Sequence, residues 1–195
     1  MSFPLATTSN SLVQGYTGPG SSIPVPSVDE QVEDFLKNPP SNLPLANPLF
    51  VVLGGTNDPL FNPNITAAQS FRVLMTSTAA LASAYPSAEI LLLTYPDLSH
   101  IPYDAYVDAQ TKQGLKKFSY ELSALSQHAQ LQHKSFKHVD LIPLFASFEY
   151  YGTPMAYGFA PLGAYGSCLT GAYGETETVT VCDEPDEMVF WDEYQ

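Results

Sequence analysis

The fold of this chain is decided at residues 49–58, where the sequence reads LFVVLGGTND. Positions 49–53 are apolar without interruption, which is typical of a strand in a parallel sheet that is buried on both faces. The two glycines that follow let the backbone turn sharply away from the strand. Active sites of parallel α/β sheets lie beyond the carboxyl ends of the strands, so Asn57 and Asp58, just after the turn, are candidates for a functional site.

Predicted helices and strands alternate on both sides of this run. Capping boxes at 27–30 and 66–69 each open a helix, the first stopped by Pro39 and the second ending near Tyr85. The other predicted elements are strands at 90–94, 139–142 and 188–191, a long helix within 104–132, and a mostly loop region at 152–187. Strands that alternate with helices form a parallel sheet covered on both sides, so the sequence predicts an α/β fold.

Length and charge narrow the class of protein. The 195 residues are interpreted as a single domain, 1–195. Seven basic against twenty acidic residues give a net charge of −13, which argues against nucleic acid and anionic membrane surfaces as partners. No apolar run approaches the roughly 18 residues of a transmembrane helix, and residues 1–8 show no signal peptide. A polar but weakly charged surface is common in secreted proteins.

The two cysteines are interpreted in two ways. In an oxidising compartment, Cys168 and Cys182 are expected to form a disulfide that contributes about 3 kcal/mol; the alternative is two free thiols. Neither these cysteines nor the acidic residues of 183–187 match the spacing of a zinc site or an EF-hand. The sequence therefore predicts no metal and no other cofactor.

The motif Gly-Thr-Asn-Asp at 55–58, together with Phe-Trp-Asp-Glu-Tyr at 190–194, resembles the SGNH hydrolases, also called GDSL esterases. Within them, the chain is most similar to the secreted fungal acetylesterases of carbohydrate esterase family 16. Segments 11–15, 139–145 and 157–159 also resemble that family, so the likeness covers nearly the whole chain. It implies a flavodoxin-like, three-layer α/β sandwich with a parallel sheet.

The resemblance also implies roles for three residues. Asn57 matches the side-chain donor to the oxyanion, Gly55 matches the glycine of the same block, and Asp192 matches the acid of the catalytic triad. The loss of one oxyanion donor costs about 3–4 kcal/mol of transition-state stabilisation. From the residues alone, two alternatives stay open: Asn57 belongs to a turn that caps the strand, and Asp192 is one more surface carboxylate in an acidic tail.

The chain departs from the family pattern at both ends. It contains no Gly-Asp-Ser, and Phe3-Pro4-Leu5 stands where the family has its glycine-rich second block. Gln195 stands where the motif D-x-x-H puts the histidine, unless the sequence stops just short of it. Residues 1–195 are therefore interpreted as a domain truncated at both ends, without the first strand, the serine and the histidine. Of the four histidines, His100 alone is predicted at the right edge of the sheet, where a solvated loop histidine is favoured; His138 is predicted to open a strand at the opposite edge.

The leading hypothesis is a fragment of a secreted, extracellular serine esterase. The intact parent is expected to remove small acyl groups, chiefly acetyl, from carbohydrate, while this chain alone is expected to be inactive. The alternative is a non-catalytic pseudoenzyme or glycan-binding fragment. The tyrosines and glycines of 150–174 fit either hypothesis, since they can stack on sugar rings or pack the lid of a cleft.

Overall fold

The computed structural model describes residues 5–17, 22–41, 46–133, 136–172 and 178–194. Phe3, Pro4 and Gln195, on which the predicted truncation depends, lie outside these ranges. The elements are, in chain order, β1 (Tyr16–Thr17), β2 (Ile23–Pro24), α1 (Val28–Lys37), β3 (Leu49–Leu53), α2 (Asn57–Phe61), α3 (Ala67–Ala84), β4 (Glu89–Thr94), α4 (Ala109–Gln132), β5 (Phe136–Asp140), α5 (Ile142–Ala146), β6 (Leu169–Thr170) and β7 (Thr180–Val181), with short 3-10 helices at Pro102–Tyr106, Pro154–Tyr157 and Pro185–Glu187.

The central sheet is parallel, with strand order β3-β4-β5, which confirms the predicted α/β class. In its register Val52 lies opposite Leu92, and Leu92 lies opposite His138. The third strand was predicted at 139–142 but spans Phe136–Asp140. It ends before residue 142 because helix α5 begins there, with Pro143 in its first turn. His138 therefore lies inside the strand rather than at its start.

A helical layer covers one face of this sheet. The even-numbered strand residues point toward α3 and α4 and form the core with them. Both capping boxes predicted from the sequence are present, at the starts of α1 and α3. The core residues shared by strands and helices are Val52, Ile90, Leu92, Phe136, Leu74, Leu81, Leu115, Phe118 and Leu122.

The opposite face of the sheet is largely open, so the prediction that residues 49–53 are buried on both faces is wrong. Val51 is 54% exposed, whereas its neighbour Val52 is 7% exposed. The reason lies in the topology. Both connections, β3-α3-β4 and β4-α4-β5, step in the same direction, and right-handed crossovers then put both helices on the same face. The aliphatic side chains of the open face are Leu49, Val51, Leu53 and Val139, which are exposed, and Leu91 and Leu93, which are partly exposed.

A groove of about 550 Å³ runs along the edge of β3 that faces away from β4. Among the described residues, β3 pairs only with β4, so its outer edge faces this groove. Helix α1 packs against α3 and contributes Val28, Val32 and Phe35 to the far wall. The groove is therefore lined mainly by apolar residues and reaches the carboxyl end of β3.

The C-terminal region packs as irregular chain around short elements. The last predicted strand, at 188–191, is reduced to a single bridge between Ser167 and Phe190, so that prediction is wrong. The predicted disulfide is present: Cys168 and Cys182 are bonded, with their Cα atoms 4.8 Å apart, beside the antiparallel pair of β6 and β7. In the part of the chain that the structure describes, we find no helix with the length and apolar character of a membrane span.

Candidate functional site

The turn after β3 sets the position of the site. Gly55 has φ +100°, a conformation that residues with a Cβ rarely adopt, and a Cβ at this position would lie 2.8 Å from Cδ2 of Leu122. Only glycine fits this close approach to α4 without strain. The sharp turn starts helix α2 directly at Asn57, at the carboxyl end of the strand.

The side chain of Asn57 belongs to the lining of the groove. Its Nδ2 donates a hydrogen bond of 2.9 Å to the carbonyl oxygen of Ala6. A side-chain amide carries two hydrogens, so this bond fixes the orientation of the amide and uses one of them. Among the described residues no acceptor binds the second hydrogen, and a free amide hydrogen is what an oxyanion donor needs.

Asp58, the next residue, forms hydrogen bonds that connect the segments around the site. Its side chain is fully buried, and Oδ1 accepts a hydrogen bond of 2.8 Å from the backbone N–H of Thr8. Oδ2 accepts from the hydroxyls of Thr8 and Ser70, at 2.5 Å each. Burial raises the pKa of Asp58 above its ordinary value, and these hydrogen bonds oppose the rise. The carboxylate thereby ties the N-terminal segment, with the carbonyl of Ala6, to α2 and α3.

Asp192 is buried, at 7% exposure, so the alternative that it is a surface carboxylate is wrong. Its Oδ1 accepts a hydrogen bond of 2.9 Å from the backbone N–H of Tyr194. Burial raises the pKa of Tyr95, and the nearby negative charge of Asp192 raises it further. Tyr95 follows β4 directly and, like Tyr194 and Asn57, lines the groove. Asp192 therefore lies behind the same end of the groove that Asn57 reaches.

The histidines lie elsewhere. His100 is exposed, and its Nδ1 lies 2.5 Å from Oε1 of Glu149, which agrees with the solvated loop histidine that the sequence favours. His138 is half-buried, its Nε2 lies 2.8 Å from the hydroxyl of Thr94, and burial lowers its pKa. The described residues that line the groove include neither a histidine nor a serine.

The described ranges also contain no cluster of three or more side chains suited to hold a metal ion. The arrangement offers an amide donor at the carboxyl end of β3, beside two tyrosines that line the same groove and a buried carboxylate behind them. At this end of the groove, Asn57 can donate a hydrogen bond to the carbonyl oxygen of an uncharged acyl group.

No protein-family model and no curated protein matches this sequence. The likeness to the SGNH hydrolases therefore stays a resemblance in sequence motifs. Sequence reasoning named Gly55, Asn57 and Asp192 as site residues. It did not name Tyr95 and Tyr194, which line the groove with Asn57. Tyr95 could have been predicted from the sequence, because the rule that sites lie after strand ends applies to β4 as well as to β3.

Proposed function

We propose that this chain forms the oxyanion-binding and acid part of a serine esterase site of the SGNH type. The observation that carries the proposal is the amide of Asn57, which donates a hydrogen bond to the carbonyl of Ala6 where the groove meets the carboxyl end of β3. The buried carboxylate of Asp192 behind the same end supports it. The substrate class follows from the resemblance: small acyl esters, chiefly acetylated carbohydrate, met outside the cell.

In this proposal a serine hydroxyl attacks the ester carbonyl while a histidine takes its proton. The oxygen of the tetrahedral intermediate accepts a hydrogen bond from Asn57, and Asp192 orients the histidine and stabilises its cationic form. The histidine returns the proton to the leaving alcohol. Water then attacks the acyl-serine while the histidine takes its proton. The bond between the acyl carbon and the serine oxygen breaks, the histidine gives that proton to the serine oxygen, and the carboxylic acid leaves.

The serine and the histidine are proposed to come from polypeptide outside residues 1–195. Two observations support this: the outer edge of β3 pairs with no strand of the described ranges, and one face of the sheet is open there. A further strand beside β3 would carry the serine to the end of the groove near Asn57, and a helix after that strand would cover the open face. The complete protein would then be the three-layer sandwich that the resemblance implies.

The test compares three proteins in p-nitrophenyl acetate turnover. Residues 1–195 alone are expected to show no turnover above background. A fusion that adds a Gly-Asp-Ser strand before residue 1 and carries Gln195→His is expected to be active. In that fusion Asn57→Ala is expected to lower kcat by roughly 10²–10³-fold, because one oxyanion donor is lost.

Two results would contradict the proposal. Steady turnover by residues 1–195, with a serine-directed phosphonate bound to one of its serines, would reveal a nucleophile of another kind. An active fusion in which Asn57→Ala leaves kcat unchanged would remove Asn57 from the chemistry.

A non-catalytic, glycan-binding role is the second candidate, and one observation favours it. Tyr150 and Tyr151 stack edge to face with ring centres 5.2 Å apart, and Tyr151 is 95% exposed. Exposed tyrosine rings of this kind bind the faces of sugars. Two results together would support this candidate over the esterase. Residues 1–195 would bind acetylated xylan and lose this binding in Tyr151→Ala, and the fusion would show no turnover.

A further inference from the structure

A second cavity, of about 600 Å³, lies across the loop that follows β4. The loop separates it from the groove: Leu98 lines the groove, whereas residues 99–102, Asp104 and Ala105 line the second cavity. The first turns of α4 form the opposite wall, with Lys112, Gln113 and Lys116, and Glu149 and Tyr165 close the remaining side. We call it the lysine cavity.

The charge of the lysine cavity is unlike that of the rest of the chain. The protein has seven Lys and Arg residues and twenty Asp and Glu residues, which give a net charge of −13. Two of the seven basic residues line this one cavity. Lys112 forms an ion pair with Asp104. Lys116 forms no ion pair with any described residue, and its Nζ lies 5.9 Å from the centre of the Tyr120 ring. The cavity thus offers one cation that no carboxylate of the described chain matches.

The other side chains of the cavity narrow the choice of anion. Asp104 is paired with Lys112, and Oε1 of Glu149 lies 2.5 Å from Nδ1 of His100, which also lines the cavity. Both carboxylates keep a second oxygen that can accept a hydrogen bond and that disfavours a multiply charged phosphate or sulfate. A ligand that carries a single negative charge and several hydroxyl donors satisfies both the lysine and these carboxylates. Tyr165 is half exposed, and its hydroxyl accepts a hydrogen bond from the backbone N–H of Tyr150, which restrains the position of the ring at the edge of the cavity.

We infer that the lysine cavity binds a uronic acid residue of an acidic glycan. The carboxylate binds Lys116, the sugar hydroxyls donate to Asp104 and Glu149, and the pyranose ring lies against Tyr165. This binding is independent of ester hydrolysis and does not need the groove. If the proposed esterase activity is also correct, the two cavities on either side of one loop select acetylated polysaccharides that contain uronic acids.

The test is a titration of ¹⁵N-labelled residues 1–195 followed by amide chemical shifts, at pH 7 and low salt. Trigalacturonate, glucose and inorganic phosphate are the probes. Trigalacturonate is expected to shift residues of 99–105 and 112–116 in a saturable way. Lys116→Gln is expected to weaken this binding about tenfold or more, the value of one charge-assisted hydrogen bond.

Lys117→Gln is the matched control. Lys117 is the next residue on the same helix, is exposed outside the cavity and lies 3.7 Å from Glu121. The Lys117→Gln variant loses the same charge as Lys116→Gln, and we expect its affinity for trigalacturonate to be unchanged. An equal loss in both variants would reduce the effect to general electrostatic attraction and overturn the proposal.

Three further results would also overturn it. Equal affinity for glucose would show a neutral sugar site, and equal affinity for phosphate would show a simple anion site. The absence of saturable shifts with trigalacturonate, in a protein whose spectrum remains dispersed, would show that the cavity binds no such ligand.

Discussion

Two substitutions of Asp58 separate the effect of its buried charge from the effect of its hydrogen bonds. In Asp58→Asn, the remaining oxygen still accepts from the backbone N–H of Thr8. The amide hydrogens then donate to the hydroxyl oxygens of Thr8 and Ser70, which accept as readily as they donate. We therefore expect the free energy of unfolding at pH 7 to change by less than about 1 kcal/mol.

Asp58→Ala is expected to behave differently. It leaves the buried N–H of Thr8 without its acceptor and removes the partner of both hydroxyls. Each unsatisfied buried group costs about 1–3 kcal/mol, and three groups lose their partner, so we expect a loss of at least about 3 kcal/mol. Urea unfolding followed by circular dichroism measures both variants against the unchanged chain.

The pH dependence provides a second readout. Because burial raises the pKa of Asp58 above 3.8, the folded state holds this proton more tightly than the unfolded state does. The contribution of the group to stability is therefore full below the unfolded pKa and is lost as the pH rises through the folded pKa. Asp58→Asn has no carboxyl group to titrate. As the pH rises through the folded pKa of Asp58, we therefore expect the unchanged chain to lose stability relative to Asp58→Asn.

Two outcomes would refute this reasoning. If Asp58→Asn loses as much stability as Asp58→Ala at pH 7, the negative charge itself stabilises the fold. If the stabilities of the unchanged chain and Asp58→Asn run parallel from pH 3.5 to 7, the pKa of Asp58 is not raised.

Three further predictions concern the fold. Val51→Lys on the open face should change the free energy of unfolding by less than about 0.5 kcal/mol and should reduce self-association in sedimentation velocity. Val52→Lys on the covered face should lower the free energy of unfolding by more than about 3 kcal/mol. Equal effects of the two variants on stability would contradict the open face. Gly55→Ala should cost about 1–3 kcal/mol or more, while the control Gly114→Ala, which has open space for its Cβ, should be stabilising in thermal melts. Reduction of the disulfide should lower the free energy of unfolding by about 3 kcal/mol, and an unchanged melting curve in reductant would argue against its presence.

The local parts of the fold could be predicted from the sequence. The strand at 49–53 and both capping boxes appear as predicted, because an uninterrupted apolar run and a Ser/Thr with Glu/Gln three residues later are signals within a few residues. The exposure of one face could not be predicted in this way. It depends on which side two crossover helices occupy, and that is set by strand order rather than by the composition of the strand.

The candidate site shows the same division. Asn57 could be located by the rule that polar residues after strand ends gather at one edge. The structural role of Asp58 could not, because its partners Thr8 and Ser70 lie 50 and 12 residues away in the sequence. The error at 139–142 has a local cause: Lys137 and His138 broke the apolar run, although the alternation of an edge strand continues through them.

The open face of the sheet also affects how this protein would behave with a common folding probe. The dye 8-anilinonaphthalene-1-sulfonate fluoresces when it binds exposed apolar surface, and bright fluorescence is usually taken as a sign of a molten globule. Here the aliphatic side chains around Val51 lie exposed on a fully ordered sheet, so the native chain itself should bind the dye. Dye fluorescence should fall on unfolding, and near-UV circular dichroism, which reports fixed aromatic packing, becomes the signal that distinguishes the native chain from a partly folded one.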